Sequence, residues 1–385
     1  MNLKRLFKKP ERKSPLIINQ YNTAYQKNVL ISYLTDPFKN PNHFKHQNYM
    51  TSHIVAESFF DLGYNVDVVD YTDRDTLIDY SKYHVFFGFG YPFEQSFYQE
   101  NRKIPRIHFI TGAHNDFHNM MGLKSANDFY KLSGVWLPAE ANILSVTDYY
   151  AMYDSDITII LARGYIFEDC KSRFNNQIYS LNNNILGVFA NAEPKIISGR
   201  TNHFLFLSGG KQITKGLYIV LEVARLRKDL NFHVVVPYIT EAFTDHYGDL
   251  FGPEGNVSLH IDIRMDSEEM KQVIKTCTYS LAPSYVDGLP GGTIEPMAAG
   301  LIPIVSRYCG FPSEDFIFEL EDLLPETLNQ MLSRVLALSD EDYLNCSEKV
   351  SAYALNSYSA PAVKKDLTDI LSTELGDALN NSDEK

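Results

Sequence analysis

Two acidic residues, Asp287 and Glu295, stand eight positions apart around the run Gly288-Leu289-Pro290-Gly291-Gly292-Thr293. Three glycines and a proline in so short a loop let backbone N–H groups approach a ligand more closely than side chains would permit. The helix that follows begins near Thr293, with Pro296 in its first turn, where a missing N–H would have had no partner anyway. The amino end of such a helix attracts anions. Carboxylates, in turn, accept strong hydrogen bonds from sugar hydroxyls. A ligand with phosphates over the loop would therefore meet two carboxylates at its hydroxyl-bearing ends. The same residues also fit a plain structural role, in which Asp287 fills a turn and Glu295 complements the helix dipole.

A second glycine loop lies upstream. Ser208-Gly209-Gly210-Lys211 leads through Gln212, Ile213 and Thr214 to Lys215-Gly216, so two lysines stand at a loop and helix start. They are either anion ligands or solvated surface cations. The glycines match neither the Walker A spacing nor the three-glycine dinucleotide pattern, which disfavours a P-loop kinase or a dehydrogenase. His114 closes a strand in Thr111-Gly112-Ala113-His114, and His118 follows one helical turn later. That spacing can indicate a metal pair, but the sequence supplies no third ligand, and none is expected. A structural histidine at a strand end is the alternative reading of His114.

The elements that must position these groups alternate. Apolar runs at 28–34, 65–71, 85–89, 106–111, 157–162 and 185–189 read as strands, with helical periodicity between the first two at Ile54, Val55, Ser58, Phe59 and Leu62. Runs at 203–207, 232–236, 257–261, 279–282 and 302–305 repeat the pattern, and Leu217, Val220, Leu221 and Ala224 mark a helix after the lysines. Alternation of this kind implies an α/β fold with parallel sheets covered on both faces. The expected division is an N-terminal domain over 1–195, a C-terminal domain over 196–355, and a segment 356–385 made of a terminal helix and a disordered tail.

The chain has 385 residues, 44% of them apolar, enough for two cores. A net charge of −13 argues against a nucleic-acid partner. Residues 1–13 oppose that trend, with Lys4, Arg5, Lys8, Lys9, Arg12 and Lys13 beside Leu3, Leu6 and Phe7. Such an arm suits either contact with an anionic membrane surface or a solvated terminus. Cys170, Cys277, Cys309 and Cys346 lack metal-ligand spacing and suit reduced, buried thiols. No apolar run is long enough to span a bilayer and no signal peptide is expected, so the expected location is the cytoplasm, with the arm at the inner membrane face.

Ser284, Asp287, Gly288, Pro290, Glu295, Ala298 and Gly300, then Pro303 and Val305, resemble the C-terminal signature of retaining, family-4-like glycosyltransferases of the GT-B fold. That signature has two glutamates with seven residues between them; here the first is Asp287, one methylene shorter. The resemblance implies two Rossmann-like doubly wound domains facing a central cleft, and transfer of a sugar from a nucleoside diphosphate such as UDP to a glycan, lipid-linked glycan or protein acceptor. It implies that Glu295 holds the ribose, Asp287 meets the donor sugar, and Lys211 and Lys215 neutralise the diphosphate alongside the amides of Gly291 to Thr293. His114 resembles the histidine near the donor sugar and leaving phosphate. After the first strand the family has a glycine-containing acceptor loop, and Asn42 and His43 occupy that place here without the glycine.

On this reading the donor is a substrate, and neither cofactor nor metal is required. A homo- or hetero-oligomer is compatible with the sequence. Three competitors stand beside it: a non-catalytic GT-B partner subunit, a nucleotide-sugar epimerase on the same scaffold, and a metal-dependent transferase of the other common fold. The last would use an Asp-x-Asp pair such as Asp73/Asp75, Asp154/Asp156 or Asp340/Asp342.

Overall fold

The computed structural model describes residues 16–40, 46–144 and 149–380, with side chains as far as 376. The basic arm, Asn42, His43 and the tail from 381 lie outside the described residues.

Six strands form the first sheet: β1 (Lys27–Tyr33), β2 (Tyr64–Asp70), β3 (Val85–Gly88), β4 (Arg106–Ile110), β5 (Ile157–Ile160) and β6 (Gln177–Ser180). Six more form the second: β7 (His203–Leu207), β8 (Asn231–Val236), β9 (Val257–Ile261), β10 (Tyr279–Ala282), β11 (Ile302–Ser306) and β12 (Phe318–Leu320). Every neighbouring pair is parallel. Parallel strands are covered on both faces, which is why β3, β4, β5, β10 and β11 are buried end to end.

The strand orders are β2-β1-β3-β4-β5-β6 and β12-β11-β10-β7-β8-β9. The order reverses between β1 and β3 in the first sheet and between β7 and β10 in the second. In open parallel sheets the crevice beyond the carboxyl ends at such a reversal is where ligands bind. The loops after β7 and β10 are the two glycine loops identified in the sequence.

One expected strand is absent. Residues 185–187 pair with no strand and the chain turns at 188–191, so the sixth strand is the more polar β6. Ile185 and Phe189 are apolar because they pack against the second domain, with Ile294, Met297, Val350 and Tyr358 in the same cluster. The Ile185 amide donates to Tyr358 O at 2.8 Å instead of to a strand.

The two sheets share a core. The helix Asn115–Ser133 leaves the first sheet and buries Phe117, Met121 and Phe129 among Tyr218, Phe243 and Tyr247 of the second half. Phe129 stacks on Phe243 with ring centroids 5.1 Å apart and planes 9° apart. Truncating this fully buried ring removes packing on both sides of the seam. Phe129→Ala is expected to lower the unfolding free energy by about 3–5 kcal/mol in chemical denaturation, and a loss below about 1 kcal/mol would show that the seam is not a packed core.

The terminal helix of the 356–385 segment spans Ala360–Asn380. Val363, Leu367, Leu371 and Leu375 recur every fourth residue and bury against Ile54, Val55 and Phe59 in the helix Gln47–Asp61 of the first half.

Candidate functional site

Two hollows open at the two sheet reversals and meet. One, of about 500 Å³, is lined by the loops after β7 and β10, including Gly209, Gly210, Lys211, Gly291, Gly292 and Thr293. The other, of about 580 Å³, lies at the ends of β1 and β3 and includes Tyr33, Phe89, Tyr91 and His118. Asn48, Thr111, Lys215, Asp287 and Gly288 line both.

Lys215 and Asp287 form an ion pair at that junction. Their positions are fixed by backbone. Gly216 has φ +76°, and a Cβ there would fall on the carbonyl oxygen of Pro283, so the lysine loop and the β10 loop close on each other only with glycine. On the other side the Asp287 amide donates to Tyr308 O at 2.8 Å. The pair is only partly buried, and Lys215 lines both hollows.

The helix Gly291–Ala298 offers its amino end to the first hollow. The Thr293 and Ile294 amides already donate to Pro290 O, at 2.9 and 3.0 Å. Gly291 and Gly292, the first two helical residues, are left with amides that have no acceptor inside the helix. Gly292 also has a packing reason, because a Cβ there would collide with Leu207 O at the end of β7.

Glu295 is the least expected feature. Its side chain is 0% exposed and does not line the hollow. Oε1 accepts from the Leu186 amide and lies 3.4 Å from Gln47 Nε2, while Oε2 is buried without a partner. Burial pushes its carboxyl up to about 7, against the opposing pull of the Leu186 and Gln47 hydrogen bonds. Both covering residues come from the first half or the crossing segment.

Known proteins were compared with this arrangement. No family model matches the sequence, and a search of curated proteins returned no match. Solved structures do match. Sucrose-phosphate synthase from Thermosynechococcus elongatus superposes over 91% of this chain and 99% of its own at 12% identity, with a TM-score of 0.58. A glycosyltransferase from Rickettsia africae covers 91% and 99% at 10% identity with a TM-score of 0.56. HepE from Anabaena, solved in complex with UDP and glucose, covers 90% and 99% at 9% identity with a TM-score of 0.54. The chain has the GT-B fold. At these identities the likeness is one of fold, and it removes the competitor built on the other transferase architecture.

Within this GT-B framework the expected residues separate into two groups. Gly209, Gly210, Lys211, Lys215, Asp287, Gly288, Pro290, Gly291, Gly292 and Thr293 share one hollow. Leu289 is fully buried behind the loop, and Glu295 lies beneath it. Lys211 donates from Nζ to Ala139 O in the first half at 2.8 Å. His114 lines neither hollow: it caps the helix Asn115–Ser133, with Nδ1 accepting from the Asp116 amide at 3.2 Å, and packs edge-on against Phe174.

The histidine on the wall is His118. Its Nε2 lies 3.0 Å from Asn142 O and 3.3 Å from Asn142 Nδ2; a proton on Nε2 makes the shorter contact a hydrogen bond and leaves Nδ1 as an acceptor. Burial holds the ring below its ordinary value, with the Asn142 hydrogen bond opposing and the Lys215 charge adding to the depression. A neutral imidazole in that tautomer accepts one hydrogen bond.

Sequence reasoning also missed Glu140. Its backbone carbonyl accepts from Thr214 Oγ1 at 2.5 Å, and its carboxylate lies 3.4 Å from the Ile213 amide and 3.3 Å from Tyr238 Oη. The first half thus grips the lysine loop through one short 3₁₀ turn, Pro138–Ala141, which carries no periodic or motif signal.

Proposed function

We propose that this chain is a retaining glycosyltransferase that moves a sugar from a nucleoside diphosphate to an acceptor hydroxyl. The observation that carries this reading is the Lys215–Asp287 pair at the mouth shared by the two hollows, each at the reversal point of its own sheet. The diphosphate lies over the Gly291 and Gly292 amides with its charge against Lys215. Asp287 then exchanges part of its ion pair for a hydroxyl of the donor sugar. Entry of the nucleoside draws Gln47 aside and gives Glu295 Oε2 the partner it lacks, a ribose hydroxyl. That HepE was solved with UDP and glucose in the same fold supports a nucleotide-sugar donor.

When the bond between anomeric carbon and phosphate oxygen breaks, its electron pair leaves with the diphosphate and the acceptor oxygen takes the carbon. The charge that develops is met by one prepositioned cation and two helix-end amides. The acceptor proton passes to the departing diphosphate. His118 Nδ1 orients the acceptor or the donor sugar from the second hollow. This reading uses no metal and no bound cofactor.

A second reading, a partner subunit that keeps the fold without the chemistry, is favoured by the sealing of Glu295 under Gln47 and Leu186. One panel separates the two. UDP-, GDP- and ADP-sugars are tested for protection against thermal unfolding, and the same mixtures are followed for sugar release to an added acceptor. The transferase reading expects one base to raise the melting temperature by several degrees, since ligand at 100 times Kd adds about 2.7 kcal/mol. It also expects turnover with that donor. Protection without turnover across acceptors would select the subunit, and no protection by any donor would overturn both.

A further inference from the structure

We propose that the hollow at the first reversal point takes an acceptor carrying an anionic group, a carboxylate or a phosphate, which Arg74 reads. The inference rests on the transfer reading above and names the acceptor's chemistry.

The hollow has aromatic walls. Tyr33, Tyr71, Phe89 and Tyr91 all line it, with Tyr71 and Phe89 centroids 4.8 Å apart and Tyr33 and Phe89 5.6 Å apart. Tyr33 is buried behind the wall, whereas Tyr71, Phe89 and Tyr91 are part-exposed and offer flat apolar faces for a sugar ring and, in the tyrosines, hydroxyls for its edge. The walls are also pre-set by backbone: the Tyr71 amide donates to Tyr33 O at 2.8 Å, and the Tyr91 amide donates to Tyr71 O at 2.8 Å. These two bonds tie together the segments that follow β1, β2 and β3.

The charge on this wall is uneven. Its lining holds two cations, Arg74 and Lys215, and one acid, Asp287. Lys215 is paired with Asp287, which leaves Arg74 in excess. The Arg74 guanidinium sits over the Tyr91 ring, 5.1 Å from its centroid, and has no acidic partner among the described residues. The flanking Asp70 and Asp73 carboxylates make their hydrogen bonds within their own turn. Asp70 accepts from the Thr72 amide and hydroxyl, and Asp73 from the Asp75 and Thr76 amides. In a chain of net charge −13, an arginine stacked on a pocket tyrosine with its donor fork open is placed to bind an anion bidentately.

The test is a titration followed by protein NMR with glucose, glucose 6-phosphate, glucuronate and inorganic phosphate, with UDP present, on the wild type, Arg74→Gln and Arg74→Lys. At least one anionic sugar should bind ten times or more tighter than glucose, Arg74→Gln should abolish that preference, and Arg74→Lys should keep part of it. The phosphate and carboxylate sugars show which anion is read. Equal binding of glucose and both anionic sugars, or a preference that survives Arg74→Gln, would overturn the proposal. So would inorganic phosphate binding as tightly as glucose 6-phosphate, because the hollow would then recognise an ion and not a sugar. UDP protection against unfolding, measured separately, reports on the donor reading alone.

Discussion

Lys215→Ala is expected to slow sugar transfer about 10²–10³-fold at saturating donor, the loss typical when one prepositioned donor to a developing anion is removed. The lysine stands where the hollows meet, so it stabilises the departing diphosphate, which gains negative charge, more than the intact donor. Donor affinity should therefore fall less than kcat does. Lys211→Ala provides the contrast. Lys211 spends its ammonium on Ala139 O, so its removal should alter the rate about tenfold or less. Initial rates at varied donor concentration test both, and equal losses in the two variants would remove Lys215 from its assigned role.

Glu295→Gln is expected to weaken nucleoside diphosphate binding about 10- to 100-fold, as loss of a hydrogen bond to a charged group does. It should also change how stability depends on pH. The carboxyl has an ordinary value of 4.5 and is pushed up to about 7 in the folded chain. Between these values the folded state keeps a proton that the unfolded state has released. Stability contributed by the protonated group is therefore complete below 4.5 and is lost as the pH rises through 7, a change on the order of 3 kcal/mol. The glutamine variant lacks this titration while its amide oxygen still accepts from Leu186. Denaturation midpoints from pH 4 to pH 8 should thus diverge in favour of the variant. Parallel curves would mean that Glu295 is not a buried titrating carboxyl, and unchanged nucleotide affinity would mean that it does not meet the nucleoside.

The two halves of the site were unequally legible. The loops after β7 and β10 could be read from their residues because close backbone approach demands glycine, whereas the helix start was misplaced: the helix begins at Gly291, not near Thr293, and Pro296 lies inside it. Gly216 and Gly292 illustrate the demand for glycine, each placed where a side chain would strike a neighbouring carbonyl. Their spacing from Lys215 and Asp287 is local, so it survives in one dimension. Arg74, Glu140 and Gln47 carry no such signal, since each acts on groups far away in the chain, and for His118 the sequence offered only its one-turn spacing from His114. His114 is the opposite case: a strand-end histidine fits both a ligand and a cap, and here its Nδ1 accepts from the Asp116 amide.

By itself the sequence determined that the chain alternates strands and helices into two parallel sheets, and that a lysine-bearing glycine loop precedes an acid-flanked one, because periodicity and backbone sterics are properties of neighbouring residues. Tertiary structure alone decided that Lys215 pairs with Asp287, that Lys211 donates to Ala139 O, and that Glu295 is covered by Leu186 and Gln47. Those choices depend on which donors and acceptors are brought within about 3 Å by packing one half against the other, a distance to which sequence separation is blind.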